Sequence, residues 1–175
     1  MKNSAILLVI SVPLWACNTA SKVEETTLPK PQPIEIADAK YIGIGKQGLE
    51  DLSKGNIDHF INSMADNVVY KWNNGDSISG KANVAAFWKD RRANIIDTMI
   101  FKKDIWLTVK VNETVKNIPY GIYLMGWFDT SIAYTNGNNI KLSIHTVYHF
   151  DANDKIDFVL QYLDRAPINA ALAKK

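Results

Sequence analysis

The sequence predicts an α+β domain in which three N-terminal helices pack on one face of a curved, mostly antiparallel sheet. Segments with apolar residues at helical spacing come first, and segments with alternating apolar residues follow them. Turn residues separate the later segments at short intervals, as at Asn136-Gly137 and at residues 151–154. Helices followed by strands joined through tight turns are typical of an antiparallel sheet covered on one side.

Composition indicates one ordinary folded domain. The chain has 175 residues, of which 47% are hydrophobic and 22% are charged, which is enough for one hydrophobic core. Its formal net charge is +2, and no block of five or more Lys or Arg residues occurs. Because nucleic-acid binding needs a concentrated basic surface, we expect no nucleic-acid partner.

Residues 1–16 predict an export signal. Lys2 provides a short cationic start, and residues 5–15 form an almost unbroken apolar run that is too short to span a bilayer as a helix. The signal ends with Leu14-Trp15-Ala16-Cys17, which resembles the bacterial lipobox. The resemblance implies cleavage before Cys17 and attachment of lipid to this residue.

The segment after the signal predicts an anchored domain on a tether. Cys17 is the only cysteine, so we expect no disulfide within the chain. Asn18 follows it in place of the acidic residue of an inner-membrane retention signal, which favours the outer membrane, on its periplasmic side or at the cell surface. Residues 17–35 contain Thr, Lys, Glu and Pro and predict a flexible tether. We expect the folded domain over residues 36–170.

Three helices are predicted before the main sheet. Residues 34–53 carry apolar residues at three- to five-residue steps, and Gly55 is a plausible C-cap. Asn56 can cap a second, short helix whose apolar stripe ends at Met64. A third helix follows Gly80. One side of the third helix carries Val84, Phe87, Trp88, Arg91 and Ile95.

The first predicted helix contains three glycines, Gly43, Gly45 and Gly48. Each costs about 1 kcal/mol relative to alanine in a helix interior. A missing side chain allows another part of the protein to approach closely. We therefore expect close packing of this helix on the sheet.

Period-two alternation predicts six strands. They are residues 66–72, 77–79, 98–111, 120–135, 140–150 and 156–163. The first two would form a small hairpin between the second and third helices. The last four would form an antiparallel meander.

This order of elements resembles the nuclear transport factor 2-like superfamily, the cone fold that includes ketosteroid isomerase, scytalone dehydratase, limonene epoxide hydrolase and the SnoaL-like polyketide cyclases. The resemblance covers about residues 36–166. It rests on residues 64–68 (MADNV), Ser79-Gly80-Lys81, residues 150–156 (FDANDKI) and Tyr162-Leu163-Asp164. It implies a cone-shaped pocket between helices and sheet, and a homodimer partner over the other sheet face.

Aromatic and polar side chains are predicted to form the pocket walls. One hypothesis places Tyr70, Trp72 and Trp88 on one wall and Gln161 and His145 on the other. The alternative leaves the sheet face of His145 exposed to solvent or in a dimer interface. Indoles and phenols suit a small, largely apolar or aromatic ligand that is held by a few hydrogen bonds. We expect the domain to bind such a hydrophobic or amphipathic molecule without a cofactor.

Two alternative functions stay open. The first is a cofactor-independent lyase or isomerase, in which a neutral imidazole at His145 acts as general base and Tyr70 or Gln161 orients the substrate. The resemblance to SnoaL-like cyclases places Gln161 where those enzymes carry their acid/base aspartate. The second is a dimeric protein-interaction module that uses the exposed sheet face and binds no ligand.

The last predicted hairpin allows two registers. A three-residue loop pairs Phe150 with Ile156 and sets His145 opposite Gln161, whereas a two-residue loop sets His145 opposite Tyr162. We prefer the first register because it leaves one face of the hairpin almost wholly apolar. In that register, His145 and Gln161 share the other face and can reach the cone together.

No metal site is expected. His145 and His149 stand four residues apart on one strand, a separation of about 13 Å at about 3.3 Å per residue. They cannot bind one ion together. No other cluster of His, Cys and carboxylate residues has the spacing of metal ligands.

The lipobox resemblance makes a direct prediction. Cys17→Ser should leave an unlipidated precursor, because the lipid is attached to the cysteine. Detergent phase partitioning and the mass of the processed chain would measure this change. Asn18→Ser is a matched control that keeps the cysteine. Unchanged membrane partitioning of Cys17→Ser would contradict the lipoprotein prediction.

Overall fold

The computed structural model describes residues 32–113 and 118–173, and within them four α-helices and seven strands. In chain order these are β1 (Ile34–Ile36), α1 (Lys40–Lys54), α2 (Ile57–Asn62), β2 (Met64–Trp72), β3 (Ser77–Ser79), α3 (Lys81–Asp90), a π-helical turn (Arg91–Ile95), β4 (Ile96–Val111), β5 (Gly121–Tyr134), β6 (Asn139–Phe150), β7 (Ile156–Tyr162) and α4 (Ala166–Leu172). None of these helices is long and apolar enough to cross a membrane.

The described strands form one sheet in the order β1-β4-β5-β6-β7-β2-β3. The pair β2 and β7 runs parallel, and the other neighbouring pairs run antiparallel. The strands β4, β5, β6 and β7 form the predicted four-strand meander. The helices α1, α2 and α3 contribute buried residues to a core shared with the sheet. The predicted α+β architecture, with N-terminal helices on a mostly antiparallel sheet, is confirmed.

The first helix begins at Lys40, and its predicted start at residue 34 is wrong. The alternating segment Ile34–Ile36 instead forms the edge strand β1, which pairs antiparallel with the end of β4. The sheet thus includes residues 34 and 35, which the sequence assigned to the tether. The Asp38 carboxylate accepts a hydrogen bond from the Lys40 N–H at 2.8 Å, just before the helix. The predicted C-cap is confirmed at Gly55, whose φ is 76°.

Close packing of α1 on the sheet is confirmed at one glycine. A Cβ on Gly45 would lie 2.7 Å from Leu124 Cδ2 and 2.7 Å from Trp106 Cζ3. A Cβ on Gly126 would lie 2.5 Å from the same Trp106 atom, so two glycines make room for one indole ring. Gly43, in contrast, has no neighbour within 4 Å of its Cβ position.

The other helices differ from prediction at their ends. The second helix, α2, ends at Asn62, and Met64 is already the first residue of β2. The third helix follows Gly80 as predicted, but it passes at Arg91 into a π-helical turn. A π turn widens the helix and changes the direction of the side chains that follow.

The helix α4 is absent from the predicted elements. Its first turn contains Pro167, which is favourable there because a helix start leaves its N–H groups without helical partners. Ala171 of α4 is buried, and its carbonyl accepts hydrogen bonds of 2.8 Å from the side-chain amides of Asn136 and Asn138. The turn between β5 and β6 therefore holds α4 against the core.

The hairpin of β6 and β7 combines the two registers. Next to the turn, Phe150 pairs with Ile156, as preferred from the sequence. Beyond Asp157 the pairing shifts by one residue, and His145 lies opposite Tyr162. Asp157 is therefore the extra residue of a β-bulge. The preferred register is wrong beyond this bulge, because it assumed uninterrupted pairing.

The glycines of α1 make a paired stability prediction. Gly43→Ala should raise the free energy of unfolding by about 0.5–1 kcal/mol, because alanine favours the helix and nothing obstructs its methyl group. Gly45→Ala should lower it by about 1–3 kcal/mol, because its methyl group would overlap Trp106 and Leu124. Urea unfolding of both variants measures the difference. Equal effects would contradict the close packing of α1 on the sheet.

Candidate functional site

A cavity of about 250 Å³ lies between the inner face of the sheet and the helices. It is slightly smaller than typical ligand pockets, which measure about 300–1,000 Å³. Its apolar lining includes Leu52, Phe60, Met99, Phe128, Ile132 and Ile144. The cavity therefore offers mainly apolar surface to anything that enters it.

Four of the predicted pocket residues line the cavity, namely Tyr70, Trp72, Trp88 and Gln161. Period-two alternation on β2 directs Tyr70 and Trp72 to the same side, with ring centroids 5.1 Å apart. Trp88 comes from the apolar side of α3 and contacts Tyr70 edge-on at 6.3 Å. The structure thus brings these side chains together, while their role in ligand binding stays a prediction.

His145 lies on the outer face of the sheet and does not line the cavity, so its predicted position in the cone is wrong. Its ring stacks on Trp127 at 4.5 Å and on Tyr162 at 5.7 Å. The bulge at Asp157 explains the separation, because it turns Gln161 inward while His145 stays outside. His145 is therefore on the opposite side of the sheet from any molecule in the cavity.

A short hydrogen-bond chain fixes the polar wall of the cavity. Trp72 Nε1 donates to Gln161 Oε1 at 3.2 Å, and Gln161 Nε2 donates to Thr146 Oγ1 at 3.4 Å. Burial raises the pKa of Tyr70 and of Tyr148 above the ordinary value for tyrosine. Both phenols therefore stay protonated near neutral pH and can donate hydrogen bonds.

One buried donor in the cavity wall has no partner. Trp88 Nε1 is inaccessible to solvent, and no described group accepts its hydrogen bond. An unpaired buried donor costs about 1–3 kcal/mol. The Trp88 side chain lines the cavity, whereas its Nε1 atom is buried within the wall.

Charged side chains gather in one region, which we call the charged end of the cavity and define as Asp76, Arg91 and Arg165. Arg165 Nη1 lies 2.6 Å from Asp76 Oδ2. Hydrogen bonds from Asn74 and then from Arg165 lower the pKa of Asp76, which keeps this carboxylate ionised. Among the described lining residues, Asp76 is the only carboxylate and none is a histidine.

Arg91 is the candidate residue that the predicted pocket omitted. Its guanidinium carbon lies 4.5 Å from the centroid of the Phe87 ring. The sequence pattern already places Arg91 on the apolar side of the third helix, together with Phe87 and Trp88. A charged residue within an apolar stripe is the signal that could have identified it.

Comparison with known proteins shows the fold. No protein-family model matches the sequence, and neither does any curated protein. A candidate polyketide cyclase from Xanthomonas campestris is 14% identical, with a TM-score of 0.59 over 75% of this chain and 96% of that chain. A nuclear transport factor 2-like protein of unknown function from Burkholderia pseudomallei is 14% identical, with a TM-score of 0.58 over 76% and 97% of the chains.

A third similar structure is an LEH-like epoxide hydrolase from M. tuberculosis. It is 13% identical, with a TM-score of 0.59 over 77% of this chain and 90% of that chain. At such identities a structural likeness establishes architecture and no shared chemistry. The domain therefore has the nuclear transport factor 2-like cone fold that the sequence predicted.

Proposed function

We propose that the domain binds a small hydrophobic or amphipathic molecule in its conical cavity, and that lipid on Cys17 holds the protein at the cell envelope. The observation that supports ligand binding is the apolar, aromatic-walled cavity with a few polar groups in its wall. Protein interiors are normally close-packed, and lining atoms lose dispersion contacts around an empty void. A ligand would restore those contacts.

The chemistry of the cavity favours binding over catalysis. The Asp76 carboxylate is engaged by Arg165, and the phenols of Tyr70 and Tyr148 are protonated near neutral pH. No described lining residue is therefore a free general base at that pH. The lyase or isomerase alternative depends on His145, whose ring lies on the other side of the sheet.

Anchoring at the envelope is supported by sequence alone. Residues 1–17 and most of the tether lie outside the described residues. Lipid attached to Cys17, followed by the proline-containing tether of residues 17–35, would hold the domain close to the outer membrane. The domain would act on the periplasmic side or at the cell surface, where it can meet molecules that partition into the bilayer.

Ligand binding predicts that the protein retains a small molecule from cells. Native mass spectrometry of the mature chain, residues 17–175 with Cys17→Ser, should show an added mass that disappears on denaturation. Ile144→Trp should reduce the fraction of protein that carries the added mass, because a larger ring at this lining position fills the cavity. Lys141→Trp is the matched control, since Lys141 is exposed on the outer side of the same strand. Undiminished retention by Ile144→Trp would place the ligand elsewhere.

We also propose a homodimer formed through the outer face of the sheet. Cross-strand pairing sets two rows side by side on this face, Ile105-Trp127-His145-Tyr162 and Leu107-Met125-Val147-Leu160. Ile105 is 66% exposed and Trp127 is 39% exposed. Contiguous exposed apolar surface is typical of protein–protein interaction sites, which supports the proposal. The same face supports the alternative of a protein-interaction module with a different partner.

The dimer proposal predicts a charge-sensitive association. Ile105→Glu should shift the mature chain from dimer to monomer in sedimentation experiments, because it buries a carboxylate in an apolar contact. Ala86→Glu is the matched control, since Ala86 is exposed on α3, away from this face. A monomeric wild-type chain at high concentration would refute the dimer, and an Ile105→Glu dimer would refute this interface.

A further inference from the structure

We propose that the molecule in the cavity is a small amphipathic anion, whose carboxylate or similar acidic group pairs with Arg91 while its apolar part fills the interior. This inference rests on the proposed binding function and adds the chemical class of the ligand. It depends on the position of Arg91, on the absence of a hydrogen bond or ion pair to its guanidinium within the described residues, on the charges around it and on the polar groups that line the cavity.

Arg91 differs from the other two arginines in the kind of contact that its guanidinium makes. Across residues 32–113 and 118–173, no hydrogen bond or ion pair joins its guanidinium to another residue, and the group rests on the Phe87 ring. Arg92 donates to backbone carbonyls, and Arg165 pairs with Asp76. A half-buried guanidinium that the protein itself leaves unpaired is suited to a planar carboxylate, which it can bind with two parallel hydrogen bonds.

The charged residues that line this end of the cavity are two arginines and one carboxylate, so the lining itself carries a net positive charge. Asp76 offsets Arg165, with which it forms an ion pair, and no described carboxylate that lines the cavity pairs with Arg91. Burial is the main cause that lowers the pKa of Arg91. The nearby Tyr134 and Asp90 act against this shift, and Arg165 acts with it. The Asp90 carboxylate, next in sequence, accepts a hydrogen bond from Asn94. An incoming anion would stabilise the charged form of Arg91.

The interior polar groups also favour an acceptor-rich ligand. The side chain of Tyr70 lines the cavity, and its phenol stays protonated and can donate a hydrogen bond. The obvious acceptor of the wall, Gln161 Oε1, already receives a hydrogen bond from Trp72. A ligand with oxygen acceptors and few donors matches these groups better than a cation or a polyamine does.

The local backbone places Arg91 at this position. The α-helix α3 ends at Asp90, and the π-helical turn begins at Arg91 itself. π-Helical turns are rare in proteins overall, and many of those that occur lie at functional sites. The ring of Phe87, one turn before Arg91, packs against the guanidinium. The same ring contacts the Trp88 ring, with centroids 5.4 Å apart. The cation is therefore held beside the aromatic wall of the cavity.

Matched acid and amide pairs can test this inference. Isothermal titration of the mature chain, residues 17–175 with Cys17→Ser, would compare 2-naphthoate with 2-naphthamide and decanoate with decanamide. Each pair has the same shape and apolar area and differs in charge. The acid should bind about tenfold or more tightly than its amide, the contribution expected of one charged hydrogen bond. This comparison uses one protein, so it does not depend on the folding of any variant.

Variants then assign the preference to one side chain. Arg91→Gln should abolish the difference between acid and amide, and Arg91→Lys should restore part of it, because lysine keeps the charge without the planar pair of donors. Lys89→Gln is the matched control on the same helix, since Lys89 pairs with the exposed Asp58 and does not line the cavity. It should keep the full preference.

The outcomes separate this inference from the binding function on which it rests. Equal binding of acid and amide would overturn the anion proposal and leave ligand binding standing. A preference for the acid that survives Arg91→Gln would overturn the role of Arg91. No binding of any of the four compounds, with no retained ligand in native mass spectrometry, would overturn both proposals.

Discussion

The arrangement of the cavity depends on one extra residue in β7, the bulge at Asp157. Successive side chains of a strand point to opposite faces, so one unpaired residue exchanges inner and outer positions beyond it. Beyond the bulge, Val159 and Gln161 lie on the buried face of the hairpin, where Gln161 is opposite Thr146. Apolar residues therefore lie on both faces of the hairpin. The Asp157 carboxylate lies 2.6 Å from His149 Nδ1, and this contact holds the bulged residue at the outer face.

A cavity in a small domain needs walls that do not collapse into it. Here the walls are rings that support one another, with centroid distances of 5.4 Å between Trp72 and Phe87 and 6.3 Å between Tyr70 and Trp88. Aromatic pairs of this geometry contribute about 0.5–1.5 kcal/mol beyond their buried area. Opposite them, Trp106 fits into the space left by two glycines, which keeps α1 close to the sheet. The same rigid packing that stabilises the domain therefore preserves its interior space.

The two faces of the sheet differ in ways that fit two functions. The inner face combines apolar side chains with a few polar groups and a net positive charge among its lining residues, and it is suited to a small molecule. The outer face presents rows of exposed apolar residues around His145 and is suited to a protein surface. His145 illustrates the separation, because its stacking on Trp127 and Tyr162 belongs wholly to the outer face.

The sequence alone determined the α+β order of elements, the cap at Gly55 and the aromatic wall of Tyr70, Trp72 and Trp88, because periodicity and turn chemistry are local. The resemblance of residues 14–17 to a lipobox, and the lipid anchor that it predicts, also rest on sequence alone. Only the tertiary structure decided the edge strand β1, the helix α4, the exclusion of His145 from the cavity and the position of Arg91 beside the cavity on the Phe87 ring. Each depends on a partner distant in sequence, or on one bulged residue that a two-residue period cannot show.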